Sequence, residues 1–300
     1  LRLEKTSMLT EFKTIGILGK SSDSSIAETL NELYQFLKPH YQIIIDSISA
    51  PLVPDFSGNT VPAEKLAQHC DVLIAMGGDG TFLSAARIAA GNNIPLIGVN
   101  LGRVGFLVDI SPDELLSKLN DILQGRFRKE KRYLLRTKII RDNQIIHEET
   151  AVNEVVIHRW VTPSMIELQT TIDGVYLNTQ RSDGLIISTP TGSTAYALSA
   201  GGPIIHPSLN ALLLVPLNPH TLSNRPIVID DNSEIEINFI KTNEINAQVT
   251  CDHIAIPDVL ISDTILIKKD PNPITLLHPE NHDFFHTLRD KLSWSSGYPT

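Results

Sequence analysis

The sequence predicts an α/β domain followed by a mostly β domain, and three observations carry that prediction. Apolar strand-like runs alternate with helix-like segments over the first 125 residues. After Gly125 the alternation gives way to short β-rich runs. Within the first of these regions stands Gly77-Gly78-Asp79-Gly80, a turn joining an apolar run to a small-residue helical stretch, as in a Rossmann-like sheet.

In chain order, the strand-like runs of the first domain are 14–18, 42–48, 71–76 and 94–99. The helix-like segments are 24–37, 63–69, 82–90 and 112–123. One helix between successive strands reads as βαβ units, hence a parallel sheet covered on both faces. Residues 51–62, with three prolines and Ser57-Gly58-Asn59, read as a loop. The runs of the second domain are 134–141, 151–158, 165–172, 185–188, 211–215, 227–229, 233–240, 245–249 and 264–267. Asp173-Gly174 between two of these regions signals a hairpin. The boundaries expected are 1–125 for the α/β domain and 126–275 for the all-β domain. The tail 276–300, helical over 282–294, is expected to return to the first domain.

Composition narrows the function classes. The chain has 300 residues, 42% hydrophobic and 20% charged, enough for real cores. A formal net charge of −9 argues against a nucleic-acid coat, so anions must be bound by local devices. No apolar run approaches the length of a membrane span, so no membrane partner is expected. Cys70 and Cys251 are far apart beside apolar runs, which favours a reducing, cytoplasmic setting over a disulfide framework. Residues 1–7 read as a leader or upstream extension, without the apolar core of a signal peptide. The basic stretch 126–141 reads as a solvated strand entry at a domain junction rather than a polyanion patch.

Gly77-Gly78-Asp79-Gly80-Thr81 carries the first chemistry. Glycines at a strand-to-helix turn let backbone N–H groups approach an anion, and the helix N-terminus adds favourable partial charge. A carboxylate there would repel phosphate by roughly 4 kcal/mol at about 4 Å and an effective dielectric near 20. Asp79 therefore reads as a ligand for a phosphate-bridging metal, a proton acceptor for a hydroxyl nucleophile, or simply a helix cap. Several look-alike motifs fail. Gly19-Lys20-Ser21 lacks the first glycine of a P-loop, because position 14 is Thr14. Gly78-Asp79-Gly80 lacks the third glycine of a dinucleotide fingerprint, because position 83 is Leu83. His282 and His286 have i, i+4 spacing without a zinc motif and read as a surface helix. His220 reads as a structural loop histidine, and Ser193 has no nucleophile-elbow context.

A second constellation runs from Ser182-Asp183-Gly184 through Thr189-Pro190-Thr191-Gly192-Ser193-Thr194-Ala195-Tyr196. An apolar strand enters a turn dense with hydroxyls, which can read a base edge or a ribose, and Tyr196 offers a stacking face. Capping explains one or two of the hydroxyls and accounts poorly for five between Ser188 and Thr194. Asn153-Glu154 interrupts another apolar run and reads equally as an edge position or a ligand contact.

These motifs, in this order, resemble those of NAD kinases. Pro219-His220-Thr221-Leu222-Ser223 with Arg225-Pro226 also matches, as does Thr287-Leu288-Arg289 through Trp294. The resemblance covers about residues 13–295. The Gly-Gly-Asp-Gly turn alone is shared with phosphofructokinases and lipid kinases; with the Thr-Pro-Thr-Gly segment it is specific. The resemblance implies transfer of the γ-phosphoryl of ATP to the 2′-hydroxyl of the adenosine ribose of NAD, with Mg²⁺. It implies Asp79 as general base, with Gly77, Gly78, Gly80 and Thr81 at the ATP phosphates. For NAD it implies Asp79 and Gly80, Asn153 and Glu154 at the adenosine end, and Thr194, Ala195, Tyr196 and Ser199 lining the adenine and ribose pocket. Asp183 would reach the nicotinamide end, Phe106 form an apolar wall, and Arg181 contact phosphate or a neighbouring subunit. No metal ligand is assigned. The resemblance further implies an α/β domain joined to an all-β domain, and a homodimer or homotetramer.

The chain departs from the family pattern at His253-Ile254, where many relatives carry a small residue and Gln, and at Ser164, where some carry a larger polar residue. A pocket-facing His253 would alter cofactor preference, so NAD-versus-NADH selectivity stays open. Two rival readings stand beside the kinase: a lipid or sugar kinase sharing the turn, and a non-catalytic NAD(H)-sensing module.

Overall fold

Five strands form in the first hundred residues: β1 (Thr14–Gly19), β2 (Gln42–Asp46), β3 (Asn59–Val61), β4 (Val72–Met76) and β5 (Pro95–Val99). They alternate with α1 (Ala27–Leu37) and α2 (Asp79–Asn92), and α3 (Leu115–Leu123) follows before β6 (Arg128–Arg132). The computed structural model describes residues 12–19, 26–101, 105–108, 110–160, 164–240 and 247–294. It divides into two units, Leu1–Lys131 with Ile274–Thr300, and Arg132–Pro273.

The second unit contains β7 (Leu135–Arg141), β8 (Gln144–Ala151), β9 (Glu154–Arg159), β10 (Ile166–Ile172), β11 (Val175–Ser182) and β12 (Gly184–Ser188). A short helix α4 (Tyr196–Ser199) precedes β13 (Ala211–Leu217), β14 (Ile227–Asp230), β15 (Ile235–Phe239), β16 (Ala247–Cys251), β17 (Ile254–Ile256) and β18 (Thr264–Lys269). The chain then returns to the first unit with β19 (Ile274–His278) and α5 (Phe284–Leu292).

The first unit is built on a sheet of order β3-β2-β1-β4-β5-β19-β6 among the described residues. Neighbours from β3 to β19 run parallel. β1 and β4 are buried almost throughout because helices cover both faces, which is why they read as unbroken apolar runs. α2 buries Phe82, Leu83, Ala85, Ala86, Ala89 and Ala90; its alanines let it lie close to the strands. The chain leaves β1 toward β2 and β3, then returns to β4 on the other side. That reversal creates a crevice at the carboxyl ends of β1 and β4, where ligands of such sheets bind.

The second unit holds two sheets, β11-β10-β15-β18-β7-β8 and β14-β13-β12-β9-β16-β17. Their strands pair antiparallel. One core lies between them, with Leu135, Ile139, Leu168, Ile237 and Ile267 facing Val155, Ile157, Ile187, Leu214 and Val249. The other face of the second sheet carries a smaller cluster, Val156, Ile186, Leu213 and Val215 under Ala197 and Ile205. Strands with apolar contacts on both faces explain the continuous apolar runs of β12 and β13.

The α/β and all-β architecture follows the sequence reading, with local corrections. The Pro-rich stretch 51–62 is not wholly loop, since β3 pairs with β2 at the sheet edge. Residues 63–68 form a 3₁₀ turn rather than an α-helix. Strands β8 and β11 lack a sequence signal because neither carries a continuous buried face. The expected hairpin forms at Asp173-Gly174, both with positive φ (52° and 78°) as its tight turn requires. Cys70 and Cys251 are both buried and no disulfide joins them. Among the described residues no helix is long and apolar enough to cross a membrane. Within 126–141, Arg136 pairs with Asp270 and Glu148, Lys138 with Glu148, and Arg141 with Asp263. These cations already have acidic partners, in keeping with a structural role for that stretch. The Lys20-Ser21 part of the rejected P-loop, and residues 1–7, lie outside the described residues.

Candidate active site

In the first unit, β4 ends at Met76 and the chain turns directly into α2. The Gly77 N–H donates to the Val99 carbonyl (2.9 Å), tying the turn to β5, and the Phe82 N–H donates to Gly78 O (3.1 Å), starting the helix. A Cβ on Gly77 would meet Thr81 Oγ1 at 2.4 Å, so this glycine is required by the fold itself. Gly78 and Gly80 are different. Both are exposed, and among the described residues a Cβ on either would meet nothing within 4 Å. Their bare backbone faces open space, the surface an anion needs in order to reach the N–H groups of a helix N-terminus.

Asp79 is the first residue of α2, half-buried, and its charge suits the positive end of the helix. The N-cap position itself is taken by Gly78, so Asp79 stands one residue inside the helix rather than at its cap. Its Oδ1 is buried with no hydrogen-bond partner among the described residues. A buried orphan carboxylate oxygen is expensive, and in a native protein it marks a position held for a ligand or for chemistry. Gly105 makes room for it: a Cβ there would stand 2.1 Å from Asp79 Oδ1. Phe106, the expected wall residue, follows this glycine and is half-buried.

In the second unit, strand alternation sends Glu154, Val156 and His158 of β9 to one face of the sheet. With Asp183, Tyr196 and Asp252 they line a cavity of about 370 Å³. Glu154 is buried and its Oε2 has no partner among the described residues; the same holds for Asn153 Oδ1 beside it. Burial first, and the Asp252 carboxylate second, push the Glu154 carboxyl up to about 8. It can therefore donate as well as accept near neutral pH. Asp252, in a left-handed conformation (φ 52°), accepts from the N–H groups of Val152 (2.9 Å), Asn153 (2.8 Å) and Glu154 (3.2 Å). It fixes the backbone of the Asn153-Glu154 pair. Asp183 is held by Arg159 Nε (2.8 Å) and by the Asn218 side-chain amide (2.9 Å). Tyr196 is 48% exposed and lines the same cavity.

The hydroxyl-rich segment corrects the sequence reading. All five hydroxyls between Ser188 and Thr194 bond within the protein. Thr189 Oγ1 donates to Val152 O (2.7 Å) and accepts from the Gly192 N–H (3.1 Å). Ser188 donates to Thr189 O and Thr194 to Thr191 O. Ser193 accepts from the Ile205 N–H and bonds to Pro190 O, while Thr191 accepts from Arg132. A buried turn must satisfy its own polar backbone, and these side chains do so. The segment is first a scaffold for Asn153-Glu154 and for the start of α4.

The predicted site residues thus gather in two clusters, one per unit. Gly77, Gly78, Asp79, Gly80, Thr81 and Phe106 stand in the first. In the second, Glu154, Asp183 and Tyr196 share the cavity with Arg159, Asn218 and Asp252. Asn153, Thr194 and Ala195 stand in the supporting turns and do not line it. Arg181, Ser199 and His253 are exposed and also do not line it. Sequence reasoning did not single out Gly105, Arg159, Asn218 or Asp252. The i, i+2 spacing from Glu154 could have extended the site to His158, Arg159 ends the same strand, and Gly105 adjoins Phe106; Asn218 and Asp252 come from distant strands and loops and leave no local signal.

An α/β unit with an open glycine turn and an orphan carboxylate, together with a β unit bearing a polar cavity, defines an ATP-dependent kinase once its relatives are considered. Residues 15–127 match the model of the ATP-NAD kinase N-terminal domain, and residues 152–278 match that of the ATP-NAD kinase C-terminal domain. The chain is 51% identical to an NAD kinase of Methylococcus capsulatus over 290 residues, covering 96% of this chain and 100% of the relative. It is 44% identical to an NAD kinase of Teredinibacter turnerae, covering 96% and 99%. Among solved structures it is similar to yeast NADH kinase complexed with NADH (TM-score 0.86, 25% identity, 96% and 89% covered). It is also similar to an NAD kinase from Archaeoglobus fulgidus in complex with ATP (TM-score 0.71, 25% identity, 93% and 98% covered). The chain belongs to the ATP-NAD kinase family. The lipid or sugar kinase and the non-catalytic sensor are not favoured.

Proposed function

We propose that this chain transfers the γ-phosphoryl of ATP to the 2′-hydroxyl of the adenosine ribose of NAD, with Asp79 as general base. The observation that carries the assignment of Asp79 is its buried, partnerless Oδ1 at the mouth of an open glycine turn. In the step inferred, the ribose O–H proton passes to Asp79 as the oxygen bonds to the γ-phosphorus, and the bond from that phosphorus to the β,γ-bridging oxygen breaks to release ADP. The backbone of Gly77, Gly78 and Gly80, with Thr81, receives the phosphates at the positive end of α2. Asn153 and Glu154 hold the adenosine end through their partnerless oxygens, on a backbone fixed by Asp252 and Thr189. Tyr196 supplies the stacking face and Phe106 an apolar wall. Asp183, already oriented by Arg159 and Asn218, receives the nicotinamide end. Arg181, Thr194, Ala195, Ser199 and His253 are assigned to the nucleotide only through the family resemblance.

The donor set also fits Mg²⁺, a hard ion that takes carboxylate and phosphate oxygens. Asp79 would hold it with the phosphates, and when bound it supplies neutralisation of charge on the transferring group. A cytoplasmic setting is supported by two buried cysteines that no disulfide joins, of which Cys70 is pushed up to about 11 by burial. Self-association is supported by the β10–β11 hairpin, which exposes Val175, Tyr176 and Leu177 along a strand at a sheet edge.

The direct test is NADP formation from Mg-ATP and NAD, with NADH in a parallel reaction to read selectivity. No product from folded protein over a range of nucleotide and metal concentrations would overturn the assignment. Asp79→Asn should lower kcat by about 100-fold or more while NAD still binds by calorimetry. A variant keeping a tenth of kcat would leave under about 1.4 kcal/mol of barrier to the carboxylate, too little for a general base.

A further inference from the structure

Apart from the nucleotide-handling residues, the first unit brings together Glu130 on β6, His278 at the end of β19 and His282 in the turn before α5. One ligand atom from each lies within 4.8 Å of the others. Nε2 of His278 stands 3.3 Å from Oε2 of Glu130, and the rings of His278 and His282 stack at 4.0 Å with 16° between their planes. His278 is buried, while Glu130 and His282 are half-buried.

This grouping differs from the pairing suggested by i, i+4 spacing. α5 begins only at Phe284, so His282 is not on the helix with His286. The His282 N–H donates to Pro279 O (3.0 Å), closing a turn that brings its ring back over His278. His286 stays exposed on the helix beside Asp290 (3.4 Å).

We propose that Glu130, His278 and His282 form a binding site for one divalent transition-metal ion of the zinc class. Two imidazoles and one carboxylate are a donor set that zinc-class ions take, whereas Mg²⁺ and Ca²⁺ prefer oxygen alone. The spacing agrees. Bonds of about 2.0–2.1 Å at tetrahedral angles hold neighbouring ligand atoms roughly 3.3 Å apart, the separation seen between His278 and Glu130. His282 completes the set when its ring slides out of the stack, a movement that its turn position and partial exposure allow.

An entry path is present as well. His282 lines a cavity of about 370 Å³ that is also lined by Glu114, Lys118, Asp283, His286 and Asp290, in which Glu114 pairs with Lys118 and Asp290 with His286. The bound ion would tie together β6, the end of β19 and the turn into α5. It would therefore act as a staple on the returning tail, independent of phosphoryl transfer.

The test uses the full chain, stripped with chelator and titrated with Zn²⁺ by calorimetry and with Co²⁺ by visible absorption. One ion should bind per chain, Zn²⁺ should raise Tm, and millimolar Mg²⁺ should not displace it. Glu130→Gln and His282→Gln should each weaken Zn²⁺ binding by at least about tenfold, as even outer partners of metal ligands do when removed, and abolish the Co²⁺ band. His286→Ala should leave both unchanged, excluding a surface site on α5. Thermal melts in chelator establish that the variants fold; should Glu130→Gln fail to fold, the half-buried His282→Gln alone decides. Absence of saturable one-to-one binding, binding unchanged in His282→Gln, or binding lost in His286→Ala would overturn the proposal.

Discussion

Glu154 shows how a single residue joins stability to recognition. Its carboxyl has an ordinary value of 4.5 and is pushed up to about 8, by burial first and by Asp252 second. A raised folded value means the folded protein holds this proton more tightly than the unfolded chain. The stabilising effect is complete below about pH 4.5 and is lost as pH rises through about 8. Glu154→Gln removes this titration without altering side-chain size. In the absence of nucleotide, the Tm of the variant relative to the native chain should therefore rise between about pH 5 and pH 8.5. A constant difference across that window would show that Glu154 is already ionised in the free protein. Asp79 is legible at the same scale for a different reason. A charged residue among glycines at a strand-to-helix junction is visible in the sequence, but its partnerless oxygen and its close approach to Gly105 are not.

At the scale of elements, the Thr189–Thr194 turn is a brace. Thr189 is buried and bonds to the backbone on both sides of the site, at Val152, Asn153 and Gly192. Thr189→Val keeps the shape and leaves Val152 O and the Gly192 N–H without this partner. Urea unfolding should show a loss of roughly 2–4 kcal/mol, and KM for NAD should rise as the Asn153-Glu154 backbone loosens. Unchanged stability would return these hydroxyls to the ligand. The sequence made the segment conspicuous but misattributed its hydroxyls. Residue type reveals hydrogen-bonding capacity, whereas the bonding partner is chosen by strands that pair from across the unit. The β9–β12 register, with Ser188 opposite Glu154, brings this turn beside the pair it supports.

At the scale of the whole molecule, the β10–β11 hairpin leaves Tyr176 57% exposed between Val175 and Leu177, at the edge of a six-stranded sheet. Unpaired strand edges with apolar side chains favour association. Sedimentation of the native chain should show a dimer or tetramer, and Tyr176→Lys should shift it toward monomer without loss of fold. A native monomer at micromolar concentration would refute self-association through this edge. By itself the sequence determined the α/β-then-β order, the glycine turn with its carboxylate, the Asp173-Gly174 hairpin and the family. Periodicity, turn chemistry and motif order are local properties, and they survive in one dimension. Only the tertiary structure decided that the tail enters the first sheet beside β5, that Asp252 clamps Asn153-Glu154, and that His282 joins His278 and Glu130 rather than His286. Each of these depends on residues far apart in the chain, and sheet pairing and burial, rather than local pattern, bring them together.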